Sequence, residues 1–480
     1  MWIISAVAML GAVMSILDTT IVNVALATLG TDLHSSLANI QWVVTGYMLS
    51  LAAVIPVTGW ASRRFGAKRV FIVSLVLFTL GSLLCGLATS DTELISFRVL
   101  QGAGGGMIMP LAQMIMADVA GPKRMGRVMA LVAVPMMLAP TLGPLLGGTI
   151  IQVLNWHWIF YVNIPVSAVA IPLAIKLLPG KAGENTDTLD FVGLALMSVG
   201  LVAVTYGLAE AGIYSSFGDV HVWAPIVIGV VLVTAFVFHA LRVEHPLLDL
   251  RLYRSSHFSA ASIVMFTLGG AVFGAMILMP LYWQEVRGFN VIETGLLTAP
   301  QGLGMAALLP IASRLTERYG GGPVALAGVL LTAVTTIPFG LIGAHTGVAE
   351  LCVVMFLRGA GMGASFMPAM TAAFASLDRS AVSHATPQLN VLMRVGGSIG
   401  TTVLAVVLAT AERHAHSHSA LAHAYGIAFW WSVGMAALAI APCVVLMRAE
   451  ANARKAAYTA GLEDPDRAAM ESAVVAESIA

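Results

Sequence analysis

Charged side chains are scarce in this sequence. Only 10% of its 480 residues are Asp, Glu, Lys or Arg, against about 25% in soluble domains. A chain this long cannot face water all round with so few, so most of its solvent must be lipid. A hydrophobic content of 58% and a mean hydropathy of +0.89 agree. Charge of either sign is also not in excess. The 24 basic and 24 acidic residues cancel, which excludes the basic face that a nucleic-acid partner needs. Cysteine is nearly missing. Cys85, Cys352 and Cys443 are scattered through apolar runs, which speaks against a disulfide framework or a thiolate metal site. A phosphate-binding loop is missing too. The one Gly-Lys pair, Gly180-Lys181, is followed by Ala182, where the nucleotide motif needs Ser or Thr. No Ser-His-Asp or His-Glu-x-x-His pattern emerges, so the chain is not read as an enzyme. His414, His416, His418 and His423 gather in one polar stretch. They are taken as a loop rather than a metal site, and no metal or cofactor is expected. Energy for any work would have to come from an ion gradient, the substrate's own gradient or a separate ATPase subunit.

What is present is a succession of apolar runs. A bilayer-crossing helix needs about 20 mainly apolar residues. Fourteen such spans are read, at 4–28, 41–61, 69–89, 94–117, 126–151, 157–178, 189–210, 222–241, 257–280, 292–312, 323–343, 350–374, 384–410 and 424–447. The stretch before Ala25-Leu26-Ala27 has no Lys or Arg and carries Asp18, so it is read as a retained first span and not as a cleaved leader. With both ends placed in the cytoplasm, 19 of the 24 Lys and Arg residues fall on the inner side and two, Arg287 and Arg413, on the outer. That split follows the positive-inside rule. The tail from Arg448 is expected to be cytoplasmic.

The chain also resembles itself. Gly102-Ala103-Gly104-Gly105-Gly106 after Arg98 is echoed by Gly359-Ala360-Gly361-Met362-Gly363 after Arg358. The run from Gly59 to Gly66 is echoed by Ser313 to Gly320. Transporters are commonly built from such repeats, with the substrate site between them. The expected organisation is a six-helix bundle over 1–179, a linker with the seventh and eighth spans over 180–245, a second six-helix bundle over 246–447 and a tail over 448–480.

Three features bear on chemistry. Asp18 lies deep in the first span. A carboxylate there costs about 2.5–3.5 kcal/mol on insertion scales, and burial disfavours its ionised form, so it is a candidate proton carrier. A structural hydrogen bond to a neighbouring helix is the plainer reading. Arg98 enters the fourth span just before a glycine cluster. It either sits beside a titrating acid and couples to it or snorkels to the interface. Arg358 and Arg394 are its expected analogues in the second half. Gly143-Pro144 with Gly147-Gly148 in the fifth span suits either a hinge or ordinary close packing.

Taken in order, these motifs resemble the major facilitator superfamily, and within it the fourteen-helix drug:proton antiporters of the EmrB/QacA type. The resemblance is carried by Leu17-Asp18-Thr19-Thr20-Ile21-Val22-Asn23, by Gln41-Trp42 followed by Tyr47, by Arg98 with Gln101-Gly102, by Gly143-Pro144 with Gly147-Gly148, and by Trp156 to Pro165, where His157 stands in place of the usual Arg. It implies an all-α integral membrane fold, two six-helix bundles plus two inserted helices. It implies proton-coupled efflux of small, mainly hydrophobic or cationic compounds across a bacterial inner membrane, with Asp18 and Arg98 in the proton step. A dedicated exporter of one metabolite, or a uniporter or importer, is the alternative. Partners would be the substrate, protons, the lipid bilayer and a periplasmic adaptor protein. Asn23, Gln41, Tyr47, Gln113, Gln301, Asn390 and Arg394 are candidates for the substrate cavity, and 25 Met residues suit an adaptable one. Gly59, Arg63, Arg64, Gly66 and Lys68, with Glu317 and Arg318, would form the cytoplasmic gate loops. In that family an Asp usually stands at the position of Arg63, so the partner of the gate's ion pair is missing from the first half.

Overall fold

The computed structural model describes residues 2–120, 143, 146–180, 188–214, 217–375, 377, 381–413, 415 and 417–459. Its longer helices are α1 (Trp2–Asp32), α2 (Trp42–Val54), α3 (Val57–Phe65), α4 (Ala67–Leu87), α5 (Asp91–Ala120), α6 (Asn163–Leu177), α7 (Phe191–Tyr214), α8 (Val220–Arg242), α9 (Ser256–Leu281), α10 (Val291–Tyr319), α11 (Gly321–Gly340), α12 (Val348–Ala375), α13 (Val382–Glu412), α14 (His418–Leu438) and α15 (Ile440–Thr459). Twelve candidate spans among the described residues are long and apolar enough to cross a bilayer, and the pair α2 and α3 makes a thirteenth. Thirteen of the fourteen sequence-read spans therefore meet a helix. The fifth, 126–151, lies mostly outside the described residues, as does the tail after Thr459.

Local chemistry sets the breaks. The second span, read as continuous, is bent by 56° between α2 and α3, at Ile55 and Pro56, because proline removes a helical donor and crowds the preceding turn. Asn290 and Glu293 start α10 with a reciprocal capping box, which satisfies two of the helix's free donors. Gly66 and Gly320, at φ +86° and +96°, make the tight turns into α4 and α11 in a backbone region that favours glycine.

Those two glycines fix the register of an internal repeat. A Cβ on Gly102 would lie 2.6 Å from the Tyr47 carbonyl, and one on Gly106 equally close to that of Leu51. In the second half, a Cβ on Gly359 would overlap the Gln301 carbonyl, and one on Gly363 would lie 3.0 Å from that of Met305. Gly104 packs on Ser74 and Phe78 of α4, and Gly361 on Gly328 and Thr332 of α11. The offset is 254 for α2, α4 and their turn (301−47, 332−78, 320−66) and 257 for α5 (359−102). This register corrects one expectation. Arg358 answers to Gln101 (358−257), and Arg98 answers to Met355. Matching the two arginines by type puts the helices one turn out of step.

The insert is asymmetric. Helix α8 packs on α7 and turns an apolar face outward, with Ile228 and Val231 more than half exposed, as a lipid-facing helix does. Helix α7 lies against both bundles. Ser198 donates to the Ala53 carbonyl at 2.6 Å, Thr402 donates to the Leu208 carbonyl at 2.9 Å, and Trp42 stacks on Tyr206 at 5.8 Å.

Candidate functional site: a buried ion pair beside an apolar cavity

Asp18 and Arg98 meet in the first half with no exposed surface on either side chain. Arg98 Nη1 donates to Asp18 Oδ2 at 2.5 Å and to Gln101 Oε1 at 2.8 Å. Its Nε donates to the Val43 carbonyl at 3.2 Å. Gln101 Nε2 donates to Asp18 Oδ1 at 2.8 Å, and Asn163 Nδ2 donates to the same oxygen at 3.0 Å. Asn163 also reaches Ser82 Oγ at 2.9 Å, whose hydroxyl donates to the Phe160 carbonyl at 2.9 Å. The Tyr47 ring covers the guanidinium with its centroid 4.0 Å away, and its hydroxyl lies 3.1 Å from Ser15 Oγ. Arg98 and Gln101 share a face because they are three residues apart on a helix. Asp18 thus has both carboxylate oxygens engaged. Removing one partner of such a pair leaves an uncompensated buried charge, at about 3–5 kcal/mol.

Helix α2 connects this network to a cavity. Val43 and Tyr47 touch Arg98, while Val44, Thr45 and Met48 line a space of about 420 Å³ enclosed by α2, α7, α9 and α13. Phe273, Leu201 and Val391 supply apolar walls, and Arg394 is the one charged side chain on them. A second space of about 70 Å³ is lined by Gln301, Gly359 and five methionines: Met276, Met279, Met305, Met355 and Met362. Arg358 lies beside it, fully buried. It donates to Gln301 Oε1 at 3.0 Å and to Thr336 Oγ1 at 3.2 Å. Among the described residues no carboxylate pairs with it.

The two halves are joined at the end that holds Gly66 and the start of α13. Asn390 Nδ2 donates to Gln113 Oε1 at 2.7 Å. A Cβ on Gly59 would lie 2.5 Å from the Ser383 carbonyl, so α3 is pressed against α13. Close by, Arg63 shares a polar cavity of about 140 Å³ with Asp190, Glu244, Asp249 and His384. The acids that line this cavity with Arg63 therefore come from the insert and from the stretch leading into α9. Asp190 itself is held by His239 Nε2 at 2.8 Å and by the Gly193 amide at 2.7 Å.

The Major Facilitator Superfamily family model matches residues 8–401 and, in a second match, 261–461. The chain belongs to this superfamily. It is 40% identical over 413 residues to a multidrug resistance protein B homolog of Mycobacterium tuberculosis, covering 85% of this chain and 76% of the relative. It is 30% identical over 399 residues to the multidrug export protein EmrB of Haemophilus influenzae, covering 82% and 78%. The solved structure of the proton:xylose symporter XylE superposes at a TM-score of 0.62 with 16% identity, over 92% of this chain and 94% of that one. That last likeness concerns the fold alone. The chain is a multi-pass membrane transporter.

Within that superfamily fold the sequence-read residues separate into groups. Asp18 and Arg98 come together, and Tyr47 joins them instead of facing the cavity. Gln301 lines the small space and Arg394 the large one. Gln113 and Asn390 bond to each other across the halves. Asn23 is exposed on α1, and Gln41 begins α2. In the fifth span, a Cβ on Gly143 would overlap Thr20, and one on Gly147 would lie 3.2 Å from the Ile21 carbonyl. Gly148 has open space beside it, and Pro144 lies outside the described residues. The first two glycines therefore seat this span on α1 just past Asp18. Arg64 is exposed beside Gly66, Lys68 is half-buried on the first turn of α4, and Glu317 and Arg318 are exposed at the end of α10. Gln101, Asn163 and Ser82 are members of the network that sequence reasoning did not single out as site residues. Gln101 was legible as the i+3 neighbour of Arg98.

Proposed function

We propose that this chain is a proton-coupled exporter of several small, mainly apolar compounds, working in a bacterial inner membrane with both termini in the cytoplasm. The observation that carries it is the Asp18–Arg98 pair, sealed from solvent and joined through α2 to the wall of an apolar cavity between the bundles. A proton arriving on Asp18 removes the negative charge. Arg98 then loses its counter-charge, and the hold of Gln101 and Asn163 on Asp18 Oδ1 weakens. Strain of that kind reaches the cavity through Val43 and Tyr47, which alternate along α2 with cavity-lining residues. Proton and substrate can then bias one two-state equilibrium in opposite senses, as antiport requires. The multidrug names of relatives up to 40% identical support a broad substrate range, and the 19-to-2 split of basic residues supports the orientation.

The test is uphill transport in proteoliposomes with an imposed pH gradient. Wild-type protein is expected to concentrate an amphiphilic dye against its gradient. Asp18→Asn is expected to insert and fold, to lose at least tenfold of that uphill rate, and to keep exchange at equal pH. Full pumping by Asp18→Asn would move the proton step away from this pair.

A further inference from the structure

We infer that the compounds carried are weak acids, anionic at neutral pH, whose oxyanion pairs with Arg394 while an aromatic or aliphatic body fills the large cavity. This names the substrate class for the export reading above and rests on it. The sequence, by contrast, suggests neutral or cationic compounds.

The first observation is the charge of the cavity wall. Among the described residues Arg394 is the only charged side chain lining the space of about 420 Å³, and none of those lining residues is an acid. The polar remainder is hydroxyl: Thr45, Thr205, Ser398, Thr401 and Thr402. Arg394 Nε is shielded from solvent and has no hydrogen-bond partner among the described residues. A guanidinium offers a planar fork suited to a carboxylate or sulfonate. The Arg394 side chain lines the apolar chamber with one of its donors unpaired, which makes it a candidate half of such a pair.

The second observation is that no described acid lines the chamber to receive a cation. Both oxygens of Asp18 are occupied by Arg98, Gln101 and Asn163. Glu210 on α7 follows the lining residue Ala209 but does not itself line the chamber. The undescribed stretch of the fifth span cannot supply one either, since residues 121–151 contain no Asp or Glu. The smaller methionine-lined space repeats the pattern. Its buried neighbour Arg358 has only the neutral partners Gln301 and Thr336. Thioethers alone would suit a soft cation, but a guanidinium next to them repels one. The large chamber therefore presents positive charge in an apolar setting, and the small one has a buried cation behind Gln301; in such a setting like charges repel strongly and an anion is drawn in.

The experiment uses the full-length protein, purified in detergent and also reconstituted, with three dansyl compounds of one size: dansylglycine, an anion; dansylglycinamide, neutral; and N-(2-aminoethyl)dansylamide, a cation. Binding is read from dansyl fluorescence and movement from pH-driven uptake. Dansylglycine is expected to bind at least tenfold tighter than the amine. Arg394→Gln should bring the two to within about twofold while leaving the amide's affinity unchanged, which also reports that the variant is folded. Arg394→Lys should restore most of the preference. The inference is overturned if the amine binds as tightly as dansylglycine, if dansylglycine does not bind, or if Arg394→Gln leaves its affinity unaltered. Arg394-dependent binding of dansylglycine with no pH-driven movement would instead overturn the export reading and leave the ligand class standing.

Discussion

Two arginines lie on matching helices of the two halves, and the membrane treats them differently. Arg98 on α5 is neutralised by Asp18 and held by Gln101 and the Val43 carbonyl. Arg358 on α12, one turn further along in repeat register, is equally buried and among the described residues hydrogen-bonds to Gln301 and Thr336 alone. The backbone repeat is kept closely, down to which glycine touches which carbonyl, while the charge pattern is not. A duplicated scaffold has thus been given one half with a closed, charge-balanced lock and one half with an uncompensated cation. The lesson is that pseudo-symmetry here governs packing, where a Cβ cannot fit, and leaves the chemistry of each half free to differ.

The comparison breaks most sharply at the arginines themselves. Arg98→Gln strands Asp18 in the interior and is expected to cost about 3–5 kcal/mol and to abolish uphill transport. Arg358→Gln keeps a hydrogen-bonding group beside Gln301 while removing a lone buried charge. It is expected to leave stability within about 1 kcal/mol of wild type or to raise it, because an isolated buried ion is costly. Thermal unfolding in detergent, followed by intrinsic fluorescence, checks both. Two shifts of the same sign and size would mean that the halves do not differ as described.

A smaller effect sharpens the packing side. Gly104→Ala and Gly361→Ala each drive a methyl group into the facing helix, at Phe78 and Thr332. Each is expected to cost about 1–3 kcal/mol, and the two melting temperatures should fall by similar amounts. If only one of them falls, the register of 254 and 257 is wrong.

The smallest effect falls on the bond between the halves. Asn390→Ala removes the donor to Gln113 and should cost about 1 kcal/mol, or about a fivefold shift in how often this end opens. The rate at which a cysteine placed at Thr386, itself buried, reacts with a membrane-impermeant maleimide measures it. An unchanged rate would show that the close seat of Gly59 on Ser383 closes this end without help.

Much of the architecture was legible because lipid imposes a coarse rule. Apolar length alone marks a span, and thirteen spans coincide with helices. Asp18 and Arg98 were legible for the same reason, since a charge within an apolar run stands out. Their partners were not. Asn163 is neutral and begins a helix, and nothing local ties it to an acid 145 residues earlier. The register of Arg358 was misread because residue type was matched where backbone contact decides. The cavity was invisible because Val44, Met48 and Phe273 have the same composition whether they face a chamber, a neighbour or lipid. The bend at Pro56 is legible from the proline itself, although apolar length alone reads 41–61 as one continuous span.

The Asp18–Arg98 pair also has a history within each molecule. Its members are 80 residues apart, and the first Lys or Arg of the sequence is Arg63. At about 5–20 residues per second, the ribosome delivers Arg98 about 4 to 16 s after Asp18. Asn163, the third hand on the carboxylate, follows later still. For that interval α1 stands in the bilayer with a solitary acid, whose insertion is unfavourable by about 2.5–3.5 kcal/mol. The mainly apolar residues on either side of Asp18 are therefore more than core packing. They are what keeps the first helix across the membrane until its counter-ion has been made.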